Sequence, residues 1–349
     1  MKPRIVDIAR LAQVSPGTVD RVIHKRGEVS DQTRQKVLDI LKELDYQPDI
    51  LAKSLATKRK LNLFLIIPVS ANENDFWSAP LNGVEQAIKE IQHYGVQLTK
   101  LFFDQYDSDS FLEQSQKVLS EKPDGLILAP VFAKESELFV HQLKEQNIPV
   151  ILINSNLDNL NDTCFIGQDS IQSGFLAAKL FTYGLNGGGH LLIANITARK
   201  DDYNHILSRE RGFRKYFAEN PQENLSISTI ELMQTTDIEM ERKFDVEFDH
   251  KKIISVFVTN SRVFHVAKYL QKHDIHNVRL IGYDLLPDNV QYLKDGLIDF
   301  LISQRPEEQG YTAITTLFNK IFLNKEVQRK HYMPIDIITK ENLDYYKFR

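Results

Sequence analysis

The stretch RIVDIARLAQVSPGTVDRVI, residues 4–23, predicts two short helices joined by a tight turn. In the first helix, apolar residues recur at helical spacing and predict an inner face made of Ile5, Ile8, Ala9, Leu11 and Ala12. Gln13 and Val14 fill the turn. Ser15 can accept a hydrogen bond from a free amide of the second helix, and Pro16 suits its first position because proline has no N–H to leave unpaired. Val19, Val22 and Ile23 turn that helix inward. The pattern predicts a helix-turn-helix, whose second helix enters the DNA major groove.

The charge distribution separates this interpretation from an ordinary helical hairpin, which would show the same local pattern. Residues 1–60 contain 13 Lys and Arg against 8 Asp and Glu, a balance of +5, whereas the whole chain has a net charge of −4. Residues 61–349 therefore carry −9. A basic N-terminal part on an acidic body indicates a polyanion-binding module at one end.

Length and composition exclude several classes of protein. The chain has 349 residues, too many for one compact core and suited to a small domain plus a larger two-lobed domain. No run of about 18 apolar residues is present, and residues 1–10 make a poor signal peptide because they lack an uninterrupted apolar segment. Cys164 is the only cysteine, which excludes an intrachain disulfide and fits a reducing compartment. We expect a cytoplasmic protein without a membrane contact.

A third helix and a hinge are predicted after the helix-turn-helix. Ser30 is the expected N-cap of a helix that ends near Tyr46, with apolar members Val37, Leu38, Ile40, Leu41 and Leu44. Three helices complete a small domain over residues 1–47. Residues 48–60 follow as a hinge helix and linker, and so short a helix needs a partner or a surface to fold.

From Asn62 onward, compact apolar runs alternate with amphipathic stretches. The runs are NLFLIIPV, VQLTKLFF, DGLILAP, IPVILIN, CFIG, HLLIANI, ISVFVT and VRLIGY. Apolar runs bounded by helices are typical of parallel sheets covered on both faces. About ten strands is many for one such sheet, so we expect two lobes, with the chain crossing between them at CFIG, residues 164–167. Ligands of such folds bind beyond the carboxyl ends of the strands, here in the cleft between the lobes.

These residues resemble a known family. Residues 4–60 are similar to the DNA-binding head and hinge of the lactose-repressor (LacI) family of bacterial transcription regulators, through VDIARLAQVSPGTVDRVI, VSDQTRQKVLDILKELDYQPD and LAKSLATKR. Residues 62–340 resemble the sensor of that family, which shares the fold of periplasmic sugar-binding proteins. The resemblance implies an all-α helix-turn-helix head and an α/β two-lobed periplasmic-binding-protein-like (type I) domain with parallel sheets. Residues 61–349 would bind an effector and dimerise.

The resemblance also implies which residues of the second helix face DNA. Pro16 and Gly17 occupy positions where relatives often carry hydrogen-bonding side chains, and neither can contact a base edge through a polar side chain. Arg21 then becomes the leading candidate for bidentate contact with guanine. Asp20 has two interpretations: it accepts from a cytosine amino group, or it pairs within the head with His24 or Arg21.

Other basic residues are expected to bind phosphate, which fixes position without reading sequence. In the head and hinge these candidates, together with a threonine, are Thr18, Lys25, Arg26, Arg34, Lys53, Lys58 and Arg59. Family hinge helices pair across a dimer and press a leucine between base steps in the minor groove, and Leu55 falls on that position. The resemblance favours this wedge, which bends the DNA, over simple packing of Leu55 on the sensor.

The resemblance carries a sensor site over in part. Phe76 and Trp77 match an aromatic pair that stacks on sugar rings. Five polar residues match recurrent contact positions: Asp169, Arg209, Asn260, Asp284 and Gln304. For any one of them alone, a role as a strand-end cap or a surface group is the commoner interpretation. Their occurrence together at successive strand ends favours a binding site. Where many relatives have Asn-Asp, this chain has Asn260-Ser261, so the pocket should be less acidic, and Arg209 could neutralise a carboxylate or phosphate on a sugar acid or sugar phosphate.

The sequence therefore predicts a ligand-controlled transcription regulator, a repressor before an activator, that binds a pseudo-palindromic operator as a homodimer. The expected effector is a sugar, sugar acid or sugar phosphate. No cofactor or metal is expected, and no nucleophile elbow or phosphate loop supports catalysis. A sugar receptor that feeds a transporter would explain residues 62–340 but not the head. A nucleotide-using α/β enzyme would need a phosphate loop.

Overall fold

The computed structural model describes residues 3–23, 26–44, 46, 60–70, 75–157, 159–160, 162–183, 188–197, 204–233 and 236–346. The chain divides into two compact units, Met1–Arg59 and Lys60–Arg349. The predicted hinge over residues 48–60 lies outside the described residues except for Lys60, so its helix stays a prediction. None of the helices in the described ranges is long and apolar enough to span a lipid bilayer.

The first unit contains three helices in its described part, α1 (Ile5–Ala12), α2 (Pro16–Ile23) and α3 (Asp31–Glu43). Gln13 ends α1 in the left-handed conformation with φ 57°. The Ser15 hydroxyl accepts a hydrogen bond from the Thr18 amide at 3.1 Å, and the Ser30 hydroxyl accepts one from the Thr33 amide. Both predicted N-caps and the position of Pro16 are thereby confirmed.

The core of the first unit is small and apolar. Its buried members are Ile8, Ala9, Ala12, Val19, Val22 and Val37. Two predicted core residues are wrong, because Leu11 is 53% exposed and Leu38 is 43% exposed. At about 100° per residue, Ile5, Ala9 and Ala12 all lie to one side of Ile8 and already fill the inner face, whereas Leu11 falls on the other side. Helical spacing alone does not centre the face.

In the second unit, the first lobe is built on a six-stranded sheet. Its strands are β1 (Leu61–Pro68), β2 (Val96–Phe103), β3 (Gly125–Leu128), β4 (Val150–Ile153), β5 (Cys164–Gly167) and β11 (Lys330–Tyr332). They lie in the order β11-β5-β4-β3-β1-β2, and every pairing is parallel. The accompanying helices are α4 (Ser78–Ile91), which a 3₁₀ turn (Gln92–Tyr94) follows, α5 (Ser108–Glu121), α6 (Ala133–Glu145) and α12 (Pro306–Phe322). Strands β3, β4 and β5 are buried throughout, as sheets covered on both faces require.

The second lobe repeats this plan. Its strands are β6 (Gly189–Thr197), β7 (Leu225–Met233), β8 (Ile253–Val258), β9 (Arg279–Tyr283), β10 (Phe300–Ser303) and β12 (Asp336–Ile338). The order is β12-β10-β9-β8-β6-β7, parallel except for the antiparallel pair β10 and β12. One face packs against α7 (Ser170–Thr182) and α8 (Asn204–Glu219). The other packs against α9 (Asp237–His250), α10 (Phe264–Lys272), α11 (Pro287–Lys294) and α13 (Leu343–Tyr346).

The chain crosses between the lobes three times, after β5, after β10 and between β11 and β12. CFIG is therefore not the crossing itself: it forms β5, which pairs with β4 and β11, and the crossing follows it. The Gln168 amide nitrogen donates to the carbonyl oxygens of Ser303 and Pro334 at 3.1 and 3.0 Å. One side chain thus links all three crossings.

A close approach of two helices sets the position of one site residue. Helices α7 and α8 pack so tightly that a Cβ atom on Gly174 would collide with the carbonyl oxygen of Arg209. A residue without a side chain is therefore required at this contact. It lets α8 lie close to α7 and hold Arg209 against the sheet.

Candidate functional site

A cavity of about 660 Å³ lies between the two lobes of the second unit. The first lobe contributes residues that follow β1, β2 and β4. The second lobe contributes residues that follow β8, β9 and β10, together with residues of β6, β7, α8, α9 and α10. The predicted position beyond the carboxyl ends of the strands is therefore where the cavity lies. Its volume falls within the roughly 300–1,000 Å³ of small-molecule sites.

Arg209, Gln304 and Asp284 form a buried polar chain along this cavity. One terminal nitrogen of Arg209 donates to the Gln304 side-chain oxygen. The Gln304 amide nitrogen in turn donates to Asp284 Oδ2 at 2.7 Å, and the Gln304 backbone N–H donates to Asp284 Oδ1 at 3.3 Å. The three side chains come from α8, the end of β10 and the end of β9, and each is almost fully buried. Guanidinium, amide and carboxylate are thus locked in a fixed order.

The guanidinium of Arg209 is held on two further sides. Its other terminal nitrogen donates to the carbonyl oxygen of Thr259 at 2.7 Å, and its Cζ lies 3.7 Å from the centre of the Tyr283 ring. The Tyr283 hydroxyl lies 2.8 Å from the hydroxyl of Ser173 on α7. A buried cation is stable only where hydrogen bonds and opposite or π charge surround it. Arg209 is accordingly a rigid, pre-positioned donor.

Asp284 is the most perturbed carboxyl of the cavity. Burial raises its pKa from 3.8 to about 6, and Arg209 and the two hydrogen bonds from Gln304 limit the increase. The residue has φ 63°, a left-handed conformation that aspartate tolerates better than most residues and that follows directly after β9. Asp284 is mostly ionised at neutral pH and can accept hydrogen bonds from hydroxyl groups.

The predicted aromatic pair lies on the first-lobe side of the cavity. Phe76 and Trp77 both line it, with their ring centres 5.0 Å apart in an edge-to-face arrangement. The Trp77 amide donates to the Asp75 carboxylate at 3.3 Å, just before α4 begins. Flat apolar rings opposite a polar chain suit a ligand with an apolar face and a polar rim.

Two asparagines of the cavity make hydrogen bonds within the protein, Asn260 through its side chain and Asn154 through its backbone. The Asn260 amide nitrogen donates to the Ile196 carbonyl oxygen at 2.6 Å, and its oxygen accepts from the Arg262 amide at 3.1 Å. Asn154 has φ 67°, and its backbone N–H donates to the Gln309 side chain at 3.0 Å. Asn260 lines the cavity, as expected, and it also fixes the loop after β8.

Asp169 is the one predicted sensor residue that the structure does not place among the residues that line the cavity. It is the N-cap of α7, where its carboxylate accepts a hydrogen bond from the Gln172 amide at 3.0 Å. The side chain of Asp169 therefore acts as a cap, which was the alternative interpretation of this residue.

Several residues of the cavity were not singled out from the sequence. Tyr106 and Arg262 join the lobes across the cavity, because an Arg262 terminal nitrogen donates to the Tyr106 hydroxyl at 2.6 Å. His205 and His265 also line the cavity, and burial lowers the pKa of both, so they are neutral at pH 7. Tyr106 and Arg262 could have been found from their positions in the sequence, because they follow β2 and β8 within a few residues.

In the first unit, α2 presents a polar face to solvent. Gly17, Asp20 and Arg21 are exposed on the side of α2 opposite the buried Val19 and Val22. Arg26 is also exposed, whereas Thr18 and Arg34 are half-buried. Five further candidates lie outside the described residues: Lys25, Lys53, Leu55, Lys58 and Arg59. A short helix with an exposed polar face beside a turn is the geometry by which such heads enter the major groove.

A three-helix head and a two-lobed sensor with a polar cleft define the class of ligand-controlled transcription regulators. The family described as bacterial regulatory proteins, lacI family, matches residues 4–49, and the periplasmic binding protein domain matches residues 64–325. The chain belongs to the lacI family and carries a sensor of the periplasmic-binding-protein type. It is a DNA-binding transcription regulator with an effector-binding domain.

Known proteins with full-length similarity agree. The chain is 26% identical to the sucrose operon repressor of Pediococcus pentosaceus, over 97% of this chain and 98% of that protein. It is also 26% identical to the ribose operon repressor of Haemophilus influenzae, over 97% of each. A solved structure from Bacteroides fragilis, described as a LacI transcriptional regulator, is 34% identical with a TM-score of 0.76 and covers 82% of this chain and 100% of its own. A transport receptor does not account for the head, so a transcription regulator describes the chain better.

Proposed function

We propose that this regulator is a repressor that binds a pseudo-palindromic operator as a homodimer and is controlled by a small carbohydrate between its lobes. A two-fold dimer presents one head to each half-site, so operator symmetry follows protein symmetry. Because its target is chromosomal DNA, we place it in the cytoplasm. The repressors of the sucrose and ribose operons among its relatives support this direction of control.

The polar chain formed by Arg209, Gln304 and Asp284 carries the carbohydrate proposal. Sugar hydroxyls need fixed donors and acceptors, and this chain supplies both in a buried, pre-organised form. Phe76 and Trp77 supply rings for the apolar face of a sugar. Donors and acceptors face aromatic planes across one cavity.

The charge of the cavity bears on which carbohydrate binds. Among the described lining residues, the carboxylates of Asp75 and Asp284 are balanced by the guanidinium groups of Arg209 and Arg262. Both terminal nitrogens of Arg209 donate within the protein, so Arg262 is the cation closer to availability for a sugar acid or sugar phosphate. We propose a sugar as the effector. Comparing the affinity for the sugar with the affinities for its acid and phosphate forms would show what these arginines contribute.

For the operator, we propose that Arg21 contacts guanine and that Asp20 either accepts from cytosine or pairs within the head. Thr18, Lys25, Arg26 and Arg34 are proposed phosphate contacts, and the hinge would add Lys53, Leu55 and Lys58. Leu55 would act as a minor-groove wedge.

Control would follow from cleft closure. A ligand that contacts both lobes binds the closed form better than the open form, and only this difference in affinity can shift the population. The three crossings joined by Gln168 are the segments about which the lobes would rotate. We propose that the rotation changes the spacing of the two heads on the operator.

Calorimetry and Trp77 fluorescence test the sensor proposal. Trp77 is the only tryptophan, so a change in emission reports the cavity directly. We expect one member of a panel of sugars, sugar acids and sugar phosphates to bind and to change the affinity for operator DNA.

A matched pair of variants identifies the site. Phe76→Leu removes an aromatic plane from the cavity and should weaken binding of that ligand at least about tenfold. Tyr183→Leu removes an aromatic side chain that is 71% exposed outside the cavity and should leave the affinity unchanged. Equal losses in both variants, or an unchanged affinity in Phe76→Leu, would place the ligand elsewhere.

A further inference from the structure

The cavity has a polar end and an apolar end, because of the order of the strands in the second sheet. Gln304, Asp284 and Asn260 follow the adjacent strands β10, β9 and β8. Next in the sheet come β6 and β7, which contribute Ile196, Thr197 and Leu232. The Thr197 hydroxyl is the one polar side-chain group that these two strands add to the described lining, so polar contacts become sparse where the sheet passes from β8 to β6.

Two helices complete the apolar end. Ile206 lies one turn before Arg209 on α8, and Met240 lies in the first turns of α9. Both residues line the cavity, and both are almost fully buried. Ile196, Leu232 and Met240 belong to the core of the second lobe and present part of that core to the cavity. A ligand group here replaces water against hydrocarbon, which is favourable only if the group is apolar.

A second cavity of about 260 Å³ lies beyond this end, between α9 and α10. Met240 and His265 line both cavities and so separate them. The second cavity is also lined by the aromatic rings of Phe244 and Tyr269 and by four charged side chains, those of Asp237, Glu241, Lys268 and Lys272. Methionine is flexible, and the space behind Met240 allows it to move and enlarge the site.

The size of the site agrees with an extended ligand. Pockets of this volume bury ligands of drug size, which are larger than one sugar ring. A second sugar ring at the apolar end would bury hydroxyl groups against Ile196, Leu232 and Met240, where the described residues offer few partners. Each unpaired hydroxyl costs more than an apolar group in the same place gains.

We propose that the effector is a glycoside whose sugar ring binds at Arg209, Gln304 and Asp284 and whose apolar alkyl or aryl aglycone binds against Ile206, Leu232 and Met240. This inference rests on the proposed carbohydrate function. It adds to that function that the regulator recognises its effector by the aglycone as well as by the sugar ring.

Calorimetry with matched ligands tests the inference on the intact chain. The probes are D-glucose, D-galactose, D-ribose and D-xylose, each as the free sugar and as both phenyl glycosides, together with maltose, cellobiose and sucrose. For the sugar that binds, one phenyl glycoside should bind at least about tenfold tighter than the free sugar, equal to about 1.4 kcal/mol. It should also bind tighter than every disaccharide.

The possible failures are distinguishable. Free sugar that binds as tightly as its phenyl glycosides, or a disaccharide that binds as tightly, would overturn the aglycone inference and leave the carbohydrate function intact. Absence of binding by every probe would overturn the aglycone inference, and absence of binding by the panel of sugars, sugar acids and sugar phosphates as well would overturn the carbohydrate function.

A substitution pair on α9 locates the aglycone. Met240→Gln keeps the length of the side chain but makes it polar, so the preference for the phenyl glycoside should fall to less than about threefold. Val246→Gln, at an exposed position of the same helix, should keep the full preference. A preference that survives Met240→Gln unchanged would place the aglycone elsewhere and contradict the inference.

Discussion

Asp284 should make the second unit less stable as the pH rises from about 4.5 to about 7. Its side chain is almost fully buried, and burial raises its pKa from 3.8 to about 6. Between about pH 4.5 and about pH 6 the folded protein mostly keeps the proton, whereas the unfolded chain has mostly released it. The stabilisation that the proton provides is present below the unfolded pKa and is lost as the pH rises through the folded pKa.

The magnitude follows from these two pKa values. One group shifted from 3.8 to about 6 costs the folded state about 2 kcal/mol between about pH 4.5 and about pH 7. Asp284→Asn has no titratable group at this position, so its free energy of unfolding does not fall by this amount as the pH rises. The free energy of unfolding of Asp284→Asn, minus that of the wild type, should therefore increase by about 2 kcal/mol over this pH range. His205 and His265 titrate in both proteins, so their contributions cancel.

Urea unfolding followed by Trp77 fluorescence measures this difference, because the only tryptophan lies in the second unit. Asp162→Asn is a control that should show almost no pH dependence in this range. The hydrogen bond with Lys144 lowers the pKa of Asp162 below 3.8, so its contribution is already present above the unfolded pKa and is lost only at lower pH. A stability difference for Asp284→Asn that is the same at both pH values would refute the account of the buried carboxyl.

Four further substitutions have defined outcomes. Arg21→Ala should weaken operator binding by about 1–3 kcal/mol and relax the sequence preference at one base pair. Arg26→Ala should weaken binding to every DNA sequence equally and lower the number of ions released on binding by about one. Binding titrations at several salt concentrations distinguish the two effects. Gly174→Ala should destabilise the second unit by about 1–3 kcal/mol in urea unfolding, because its Cβ collides with the Arg209 backbone. Tyr106→Phe removes the hydroxyl that accepts from Arg262 across the cavity, so effector binding measured by calorimetry should weaken about threefold to tenfold. An unchanged affinity would show that this contact does not favour the closed form.

The head could be predicted from the sequence because its signals are local. Ser15, Pro16 and Ser30 act within one turn of their own helices, and the structure has each where the pattern placed it. The errors at Leu11 and Leu38 arose where a neighbouring helix decides which apolar residue is covered. Periodicity indicates that a helix has an apolar face but does not fix where the centre of that face lies.

The sensor could be predicted only as far as strand order allows. Phe76, Trp77, Asn260, Asp284 and Gln304 line one cavity because residues that follow the carboxyl ends of parallel strands meet at one edge. Arg209 reaches the same cavity from α8. Their role in effector binding stays a prediction.

Contacts between the lobes could not be inferred. Arg262 and Tyr106 are 156 positions apart and meet only through the arrangement of the two lobes. The short strands β11 and β12, each of three residues, are too brief to show an alternating pattern. Such features depend on tertiary packing and not on local sequence.

Sequence-specific DNA binding is the central claim, and fluorescence anisotropy of the intact chain tests it most directly. A palindromic DNA selected from a random pool should bind with strong salt dependence and roughly a thousandfold or more tighter than a scrambled duplex of the same length. The effector found by calorimetry should change the first affinity much more than the second. Equal affinity for the selected and scrambled duplexes would contradict the account.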